Sequence, residues 1–597
     1  MRRAVRAASI LTGASLVTVL GPSLARAHAF AARYDLPLPL DFYLAGAAGA
    51  VVLSFVIMAL VFRAGPKSTD RPWIDLSRFR PRRAMVRRAA AGIVQAISVG
   101  LFLVVLTAGF FGAQDTLRNI APAFVWILWW IGLAYVAALI GNPWPAINPW
   151  SIIFAGFETL AGRRRPGARF GLGLGYPKWL GAWPAVALFG AFAWLELIAE
   201  AARVPAQLAA FISAYSVLTW IGMFIFGRKA WLANGEAFSL AFEVFGRFAP
   251  IGAPRPDSPD GAWRLRPYAA GLVVDRPCHP SMTAFVILML STVTFDGFKE
   301  TSLWAGLLKW IASVPAFHPL LIGLHDLGFG LLAALETIFL GLFPLLFYVV
   351  YLGFCWLTKE AADSERSVAE IAGLFVFSLV PIAIAYHLAH YLSYLLTSGQ
   401  LIIPLASDPF GLGWDLFGTA DHRIDIGVVG AKFVWYTAVA AIVVGHVFAV
   451  GVAHFVALKT FPSTRAARAS QYPMLVLMIA YTMVSLWILA QPVIESPDLN
   501  TVNAPSGTLS LAPFEFQELC FELTAGDAID YSFAADRPVD FGIHYHDGFS
   551  IRFPVQLDAV TSHDGSFAAD SDRLYCLMWT NQTIEGLSLT YRTGRSG

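Results

Sequence analysis

The chain has 597 residues, of which 57% are hydrophobic and 14% are charged, and it contains 19 tryptophans. This composition excludes an ordinary soluble globular protein and indicates a polytopic membrane protein, with the lipid bilayer as its first partner. The formal net charge of +2 gives no reason to expect a nucleic-acid partner.

The N-terminus has the pattern of a secretory signal peptide. A basic start precedes an apolar stretch from Ala7 to Leu20, and Ala25-Arg26-Ala27 matches the small-residue pattern of a cleavage site. We therefore predict a signal peptide over residues 1–27. Cleavage there would make His28 the first residue of the mature protein, where its amine and imidazole together form a predicted copper chelate.

Residues 28–490 are predicted to form a polytopic transmembrane domain. Ten apolar segments have the length of a membrane-spanning helix, near residues 42–63, 90–111, 121–140, 179–199, 206–226, 281–297, 328–357, 369–396, 430–458 and 472–490. Most basic residues fall in alternate loops, which is typical of the cytoplasmic side. We therefore predict a multi-pass protein of the bacterial inner membrane, with its N-terminus and its C-terminal residues on the periplasmic side.

One segment of the helical part is amphipathic rather than apolar throughout. It runs from Trp231 to Phe248 and is followed by a proline-rich loop. Such a helix is typical of the interface between lipid and water, so we expect it to lie on the inner membrane surface.

The pattern changes from helical to alternating after a polar linker over residues 491–510. Residues 511–597 are predicted to form a small all-β sandwich, with strands near 519–523, 528–533, 539–546, 551–555 and 574–579. The predicted fold class is thus an all-α polytopic membrane domain of about ten helices plus an all-β sandwich at the C-terminus. Cys520 and Cys576 lie in this predicted periplasmic part, where disulfides form, and we predict one bridge between them.

Two stretches of the tail carry a family resemblance. Phe541-Gly-Ile-His544-Tyr-His546-Asp-Gly and Tyr575-Cys576-Leu-Met578-Trp-Thr-Asn are similar to segments of the GOLD β-sandwich domain. In GOLD domains two cysteines form a disulfide that cross-links the sandwich, and the resemblance implies the same bond between Cys520 and Cys576. It also implies that the tail binds a partner, such as another membrane or periplasmic subunit.

The eighth predicted span contains two histidines, His387 and His390, on one helix face. At 1.5 Å per residue, His387 lies roughly 25 Å from the cytoplasmic end of its span, with His390 about one turn further out. His446 in the ninth span lies roughly 18 Å above its own cytoplasmic end, whereas His454 is close to that end. We expect His446, and not His454, to approach the level of the pair.

Three interpretations of these histidines remain open. Each imidazole can form ordinary hydrogen bonds between helices. His387 and His446 can be the axial ligands of a haem. Alternatively, His387, His390 and His446 bind a divalent metal ion in a site that faces the periplasm.

The third interpretation draws on acidic and imidazole groups near the periplasmic ends of other spans. Asp296 lies within the sixth span, and His325 lies at the start of the seventh. Carboxylate and imidazole together suit a hydrolytic metal ion or a general base. We therefore predict His387, His390, Asp296 and His325 as candidate catalytic residues.

The tail offers a second candidate metal site. Alternation along the strand puts His544 and His546 on the face opposite Val539, Phe541 and Ile543. A His-x-His pair on a strand is a frequent metal-binding arrangement, and Met578 adds a soft ligand suited to copper. We predict copper or zinc here, although a disulfide-bonded Cys576 cannot contribute a thiolate.

The helical part resembles a group of polytopic bacterial membrane proteins, some of which are described as fenitrothion hydrolases. The similarity is carried by His390-Tyr-Leu-Ser-Tyr, by Ser407-Asp408-Pro-Phe-Gly-Leu-Gly-Trp-Asp415, and by the earlier segments Tyr34-Asp35-Leu-Pro-Leu-Pro and Gly-Asn142-Pro-Trp. What it implies is a membrane-bound activity on an organophosphorus triester, without established catalytic residues.

The predicted function is accordingly a periplasm-facing, metal-dependent hydrolase of the inner membrane. A transporter or metal-handling protein with a periplasmic capture domain is the first alternative, because well-spaced imidazoles in adjacent spans suit a transport path. A non-catalytic scaffold that binds its partner through the β-sandwich is the second.

Overall fold

The structure, a computed structural model, describes residues 39–62, 74–75, 84–164, 170–252, 263–326, 330–425, 428–491, 505–511, 515–547, 550–583 and 585–596. The predicted signal peptide and His28 lie outside these residues. Helices make up the chain as far as Ala490, and long strands follow from Ser506.

The helical part contains eighteen α-helices in the described residues, counting the Ile120–Leu139 span as one and leaving out five short 3-10 helices. They are α1 (Leu40–Val61), α2 (Ala84–Phe111), α3 (Ile120–Leu139), α4 (Trp144–Ile147), α5 (Pro149–Arg164), α6 (Trp183–Leu197), α7 (Pro205–Phe226), α8 (Arg228–Asn234), α9 (Ala237–Phe248), α10 (Pro280–Lys299), α11 (Ser302–Ser313), α12 (His318–Asp326), α13 (Leu331–Ala362), α14 (Val368–Phe375), α15 (Val380–Thr397), α16 (Ile402–Ser407), α17 (Ala431–Thr460) and α18 (Thr464–Ala490).

The multi-pass helical domain predicted from the sequence is confirmed. Among the described residues, nine segments are long and apolar enough to cross a membrane, with α14 to α16 counted as one segment. The fourth predicted span is shorter than expected, because α6 has only 15 residues. A tenth candidate is a pair of helical segments, Ser302–Ile311 and Pro315–Leu324, which meet at 75° and were not predicted.

Helix α9 differs from its prediction as a surface helix. Nine of its 12 residues are buried, and its aromatic side chains pack into the interior of the helical domain. The Phe238 ring lies 4.5 Å from that of Trp129 on α3 and 4.9 Å from that of Phe192 on α6. Glu236 caps the helix by accepting hydrogen bonds from the Phe238 and Ser239 amides. The aromatic face of this amphipathic helix therefore meets protein rather than lipid.

Helices α15 and α17 approach each other closely at a glycine. A Cβ atom at Gly445 would lie 2.4 Å from the Ala385 Cβ and 2.8 Å from the Pro381 carbonyl oxygen. Small residues at such a crossing let two helix backbones come into direct van der Waals contact, which is a main source of stability inside a membrane. This contact fixes α15, which carries His387 and His390, against α17, which carries His446.

The C-terminal β domain predicted from the sequence is also confirmed. Its strands are β4 (Ser506–Leu511), β5 (Phe516–Leu523), β6 (Ala528–Asp547), β7 (Ser550–Ala568), β8 (Arg573–Thr580) and β9 (Leu587–Ser596), after the short β1 (Ile74–Asp75), β2 (Ile251–Gly252) and β3 (Arg264–Leu265) of the helical part. The order β4-β9-β6-β8-β5 is antiparallel throughout, and β7 pairs with β6.

Strand β6 lies at the centre of this domain, between the β4–β9 pair and the β5–β8 pair. Its first half pairs with β9 and its second half with β8, while β7 pairs with both. The sequence predicts two strands here, but the structure has one, with a register shift between Ala534 and Val539 instead of a break. Such an irregularity bends a strand without ending it. Val539, Phe541 and Ile543 point into the core, as predicted.

We predict that Gly445→Ala destabilises the helical domain, because the new methyl group has no space and overpacking costs about 1–3 kcal/mol. Gly451→Ala on the same helix is the control, since a Cβ there would meet only Met58 Cε, at 3.8 Å. Thermal unfolding of both variants in detergent measures the difference. A melting temperature of Gly445→Ala equal to that of Gly451→Ala would contradict the close contact.

Candidate active site

The candidate site is built around the carboxylate of Asp296 near the C-terminal end of α10. Its Oδ2 atom lies 2.9 Å from His390 Nε2 and accepts a hydrogen bond of 2.8 Å from the Tyr391 hydroxyl. Both partners come from α15, so one carboxylate oxygen joins two helices. The side chains of His390 and Asp296 are 22% and 18% exposed, so the surrounding helices do not enclose the pair completely.

Further charged groups from other helices surround this carboxylate. Lys299, one turn after Asp296, donates a 2.7 Å hydrogen bond to the Leu197 carbonyl of α6, and its Nζ lies 3.9 Å from Glu336 Oε2 on α13. Glu196 of α6 interacts electrostatically with both Asp296 and Lys299. Four helices therefore bring acidic, basic and imidazole side chains together inside an apolar domain.

His387 lies in a different environment from His390. It is 2% exposed, and neither of its ring nitrogens has a hydrogen-bond partner among the described residues. Its ring is surrounded by the rings of Tyr391, Tyr135, Trp130 and Phe245, at centroid distances of 4.8, 5.4, 5.7 and 6.0 Å.

The two histidines are connected through one aromatic ring. Tyr391 is 4.8 Å from the His387 ring and 4.7 Å from the His390 ring, measured between centroids. The prediction that both lie on one helix face is consistent with this shared contact. They do not face a common ligand position, because the ring of His390 binds Asp296 whereas that of His387 meets aromatic side chains.

His446 is buried on α17, and only one of its ring nitrogens has a hydrogen-bond partner among the described residues. Its Nδ1 atom is 2.8 Å from the Ile442 carbonyl oxygen, and its Nε2 atom has no partner among the described residues. The close contact at Gly445 leaves no gap for a haem between α15 and α17 at this level. His454 is a separate structural residue, since its two nitrogens lie 2.8 Å from Gln471 Oε1 and from the Phe62 carbonyl oxygen.

The described part of the helical domain does not bring His387, His390 and His446 together as a metal site. In the described residues, one set of three potential ligand side chains is close enough together to bind a single metal ion. This set is Glu518, His544 and Cys576, and it lies in the β domain. Cys576 is bonded to Cys520 there, which agrees with the predicted disulfide. Met578 lies on the same strand two residues further on, on the same face as Cys576.

Two of the predicted residues lie in described helices or strands, but their side chains fall outside the description. His546 belongs to β6, and His325 belongs to α12, a short helix that ends before α13 begins. His544 is only 2% exposed, although it lies on the predicted strand face opposite Val539, Phe541 and Ile543. The Phe553 ring of β7, 5.4 Å away, and the carboxylate of Glu518 cover it.

Sequence reasoning missed several members of the Asp296 cluster. Tyr391, Lys299, Glu196 and Glu336 were not among the predicted site residues. Glutamates such as these could have been found from the sequence, because an acidic residue inside an apolar segment costs free energy in a bilayer and is usually functional. Glu196 and Glu336 both meet that criterion.

Comparison of the chain with protein-family models and with curated proteins gave no match. The resemblances to the fenitrothion hydrolase group and to the GOLD domain therefore stay predictions.

We predict that Tyr391→Phe destabilises the helical domain, since a hydrogen bond to a charged group contributes about 1.5–3 kcal/mol. Tyr394→Phe, one turn further along α15 and 40% exposed, is the matched control. Thermal unfolding in detergent compares the two variants. Equal melting temperatures would show that the Tyr391 hydroxyl does not hold Asp296.

Proposed function

We propose that this chain is an inner-membrane hydrolase in which His390, positioned by Asp296, is the general base. The observation that carries the proposal is the 2.9 Å contact between His390 Nε2 and Asp296 Oδ2. A carboxylate in this position holds the imidazole in the tautomer with hydrogen on Nε2. The lone pair of Nδ1 is then available to accept a proton from water.

The proposed reaction is the hydrolysis of an organophosphorus triester, the substrate class implied by the family resemblance. A water molecule would form the new bond to phosphorus while the bond from phosphorus to the leaving oxygen breaks. His390 would take the proton from this water and return it to the leaving group. Asp296 would stabilise the imidazolium that exists between the two steps.

A general base is a better fit to the helical domain than the metal-dependent version of the hydrolase. The described helices do not bring three metal-binding side chains within reach of one ion. The His390 and Asp296 side chains, each about a fifth exposed, can act with water alone. The positive-inside pattern of the loops supports a site that opens to the periplasm.

Proton-coupled transport is the second candidate function, and one specific observation favours it. The two ring nitrogens of His387, the Tyr386 hydroxyl and the Nε2 atom of His446 are buried without partners among the described residues. Polar groups without hydrogen bonds cost free energy in an apolar interior, so their presence there indicates a functional role. They suit a path on which protons or water pass through the domain.

We predict that His390→Gln abolishes hydrolysis of a phosphorothioate triester in membranes that contain the full chain. Loss of a general base lowers the rate by about 10²–10⁴-fold. His422→Gln changes an exposed histidine of the loop after α16 and should leave the rate unchanged. Hydrolysis by the wild type that survives in His390→Gln would exclude this role of His390.

For transport, we predict that His387→Ala slows proton flux in proteoliposomes, measured with an entrapped pH indicator, while His422→Ala does not. The reason is that His387 Nδ1 and Nε2 would be relay positions on the buried path. A wild-type flux no greater than that of empty liposomes would rule out the transport candidate and leave the hydrolase.

A further inference from the structure

Five side chains with metal-binding atoms occupy one face of three neighbouring strands in the β domain. Glu518 and Cys520 are on β5, Cys576 and Met578 on β8, and His544 on β6. The register pairs Glu518 with Met578, Cys520 with Cys576, and Cys576 with His544. Directly opposed residues on one sheet face have Cβ atoms about 4.5–5.5 Å apart, so these side chains are immediate neighbours.

Three of these side chains already have the spacing of metal ligands. The ligand atoms of Glu518, His544 and Cys576 lie within 4.8 Å of one another, and His544 Nε2 is 3.7 Å from Glu518 Oε1. Zinc binds nitrogen at about 2.0–2.1 Å and sulfur at about 2.3 Å, which separates tetrahedral ligands by about 3.5 Å. Small side-chain movements bring the three atoms to that spacing.

The site is also sheltered from water. His544 is 2% exposed and Cys576 is 3% exposed, whereas the Glu518 side chain is 22% exposed. The Phe553 ring covers His544 from β7. Glu518 therefore lies at the solvent side of the cluster, and a metal ion can enter there without unfolding the strands.

The disulfide between Cys520 and Cys576 keeps both sulfurs from binding a metal ion, since the thiolate is the ligand and a disulfide sulfur is not. We propose that reduction of this disulfide converts the cluster into a zinc site. Its four ligands are the thiolates of Cys520 and Cys576, the imidazole of His544 and the carboxylate of Glu518. Two thiolates, one nitrogen and one carboxylate oxygen are ligands that zinc takes in a tetrahedral arrangement.

The conversion requires a dithiol reductant. The reductant transfers two electrons and two protons to the Cys520–Cys576 bond and becomes a disulfide itself. Binding of Zn²⁺ then releases the two thiol protons to solvent. Reoxidation would return two electrons to an acceptor disulfide and expel the ion. The β domain is thus stapled by a disulfide or by a metal ion, but not by both.

This proposal concerns the β domain alone and does not rest on the proposed hydrolase or transport function. The test uses the full chain in detergent with Cys278→Ser and Cys355→Ser, which removes the two free cysteines of the helical domain. Burial raises the pKa of the Cys278 thiol, so its removal guards against only a weak competing ligand.

Oxidised and reduced samples are titrated with ZnCl2 against a coloured chelator in the absence of oxygen. We expect the reduced protein to bind one more equivalent of Zn²⁺ than the oxidised protein. In the reduced protein, Co²⁺ in place of Zn²⁺ should also give the near-ultraviolet absorption band of cobalt–thiolate bonds. Equal stoichiometry in the two redox states overturns the proposal.

The ligand set is tested with His544→Gln and Glu518→Gln, each in the reduced state. Substitution of a residue that only hydrogen-bonds to a metal ligand lowers metal affinity by about 10–100-fold. Loss of a ligand itself should therefore weaken Zn²⁺ binding at least tenfold in each variant. His563→Gln, a histidine of β7 whose ring packs on Tyr531 at 5.9 Å, is the control. Near-ultraviolet circular dichroism checks that the variants are folded. Unchanged affinity in folded Glu518→Gln and His544→Gln overturns the assignment of these ligands.

Discussion

The cost of a carboxylate inside an apolar helical domain is the constraint on which the membrane part of this structure depends. Asp296 meets it by binding His390 and Tyr391 of α15 through one oxygen, with Lys299 one turn away on its own helix. Gly297, the next residue, lets α15 come close, because a Cβ there would lie 3.0 Å from the Tyr386 hydroxyl. The hydrogen bonds of Asp296 therefore depend on the close packing of α10 against α15.

The sequence predicted this arrangement in part. Hydropathy located the apolar spans, and the separation of His387 and His390 placed both on one side of a helix. Depth along the helices also separated His454 from the site, and the structure gives His454 its own partners at the opposite end of α17. Asp296 was predicted as a candidate catalytic residue because it is an acidic residue inside an apolar segment.

The pairing of Asp296 with His390 could not be predicted, because the two residues are 94 positions apart. Periodicity gives the depth of a residue and the side of its own helix, but not the direction in which that helix faces its neighbours. The same limit explains α9, whose amphipathic pattern fits a lipid surface and a protein groove equally well. It also explains His544, since alternation excludes it from the core but cannot show that β7 covers it.

The contact at Gly445 has a consequence for how the helical domain can move. Backbone atoms of α15 lie directly against α17 there, so any side chain at this position would push apart the helices that carry His390 and His446. Helix α10 is attached to α15 both by apolar packing, in which Val293 meets Ala385 and Ala389, and by the hydrogen bonds of Asp296. Separating α10 from α15 would therefore break the hydrogen bonds of Asp296 and expose this apolar contact in the same step, so polar and apolar interactions resist that movement together.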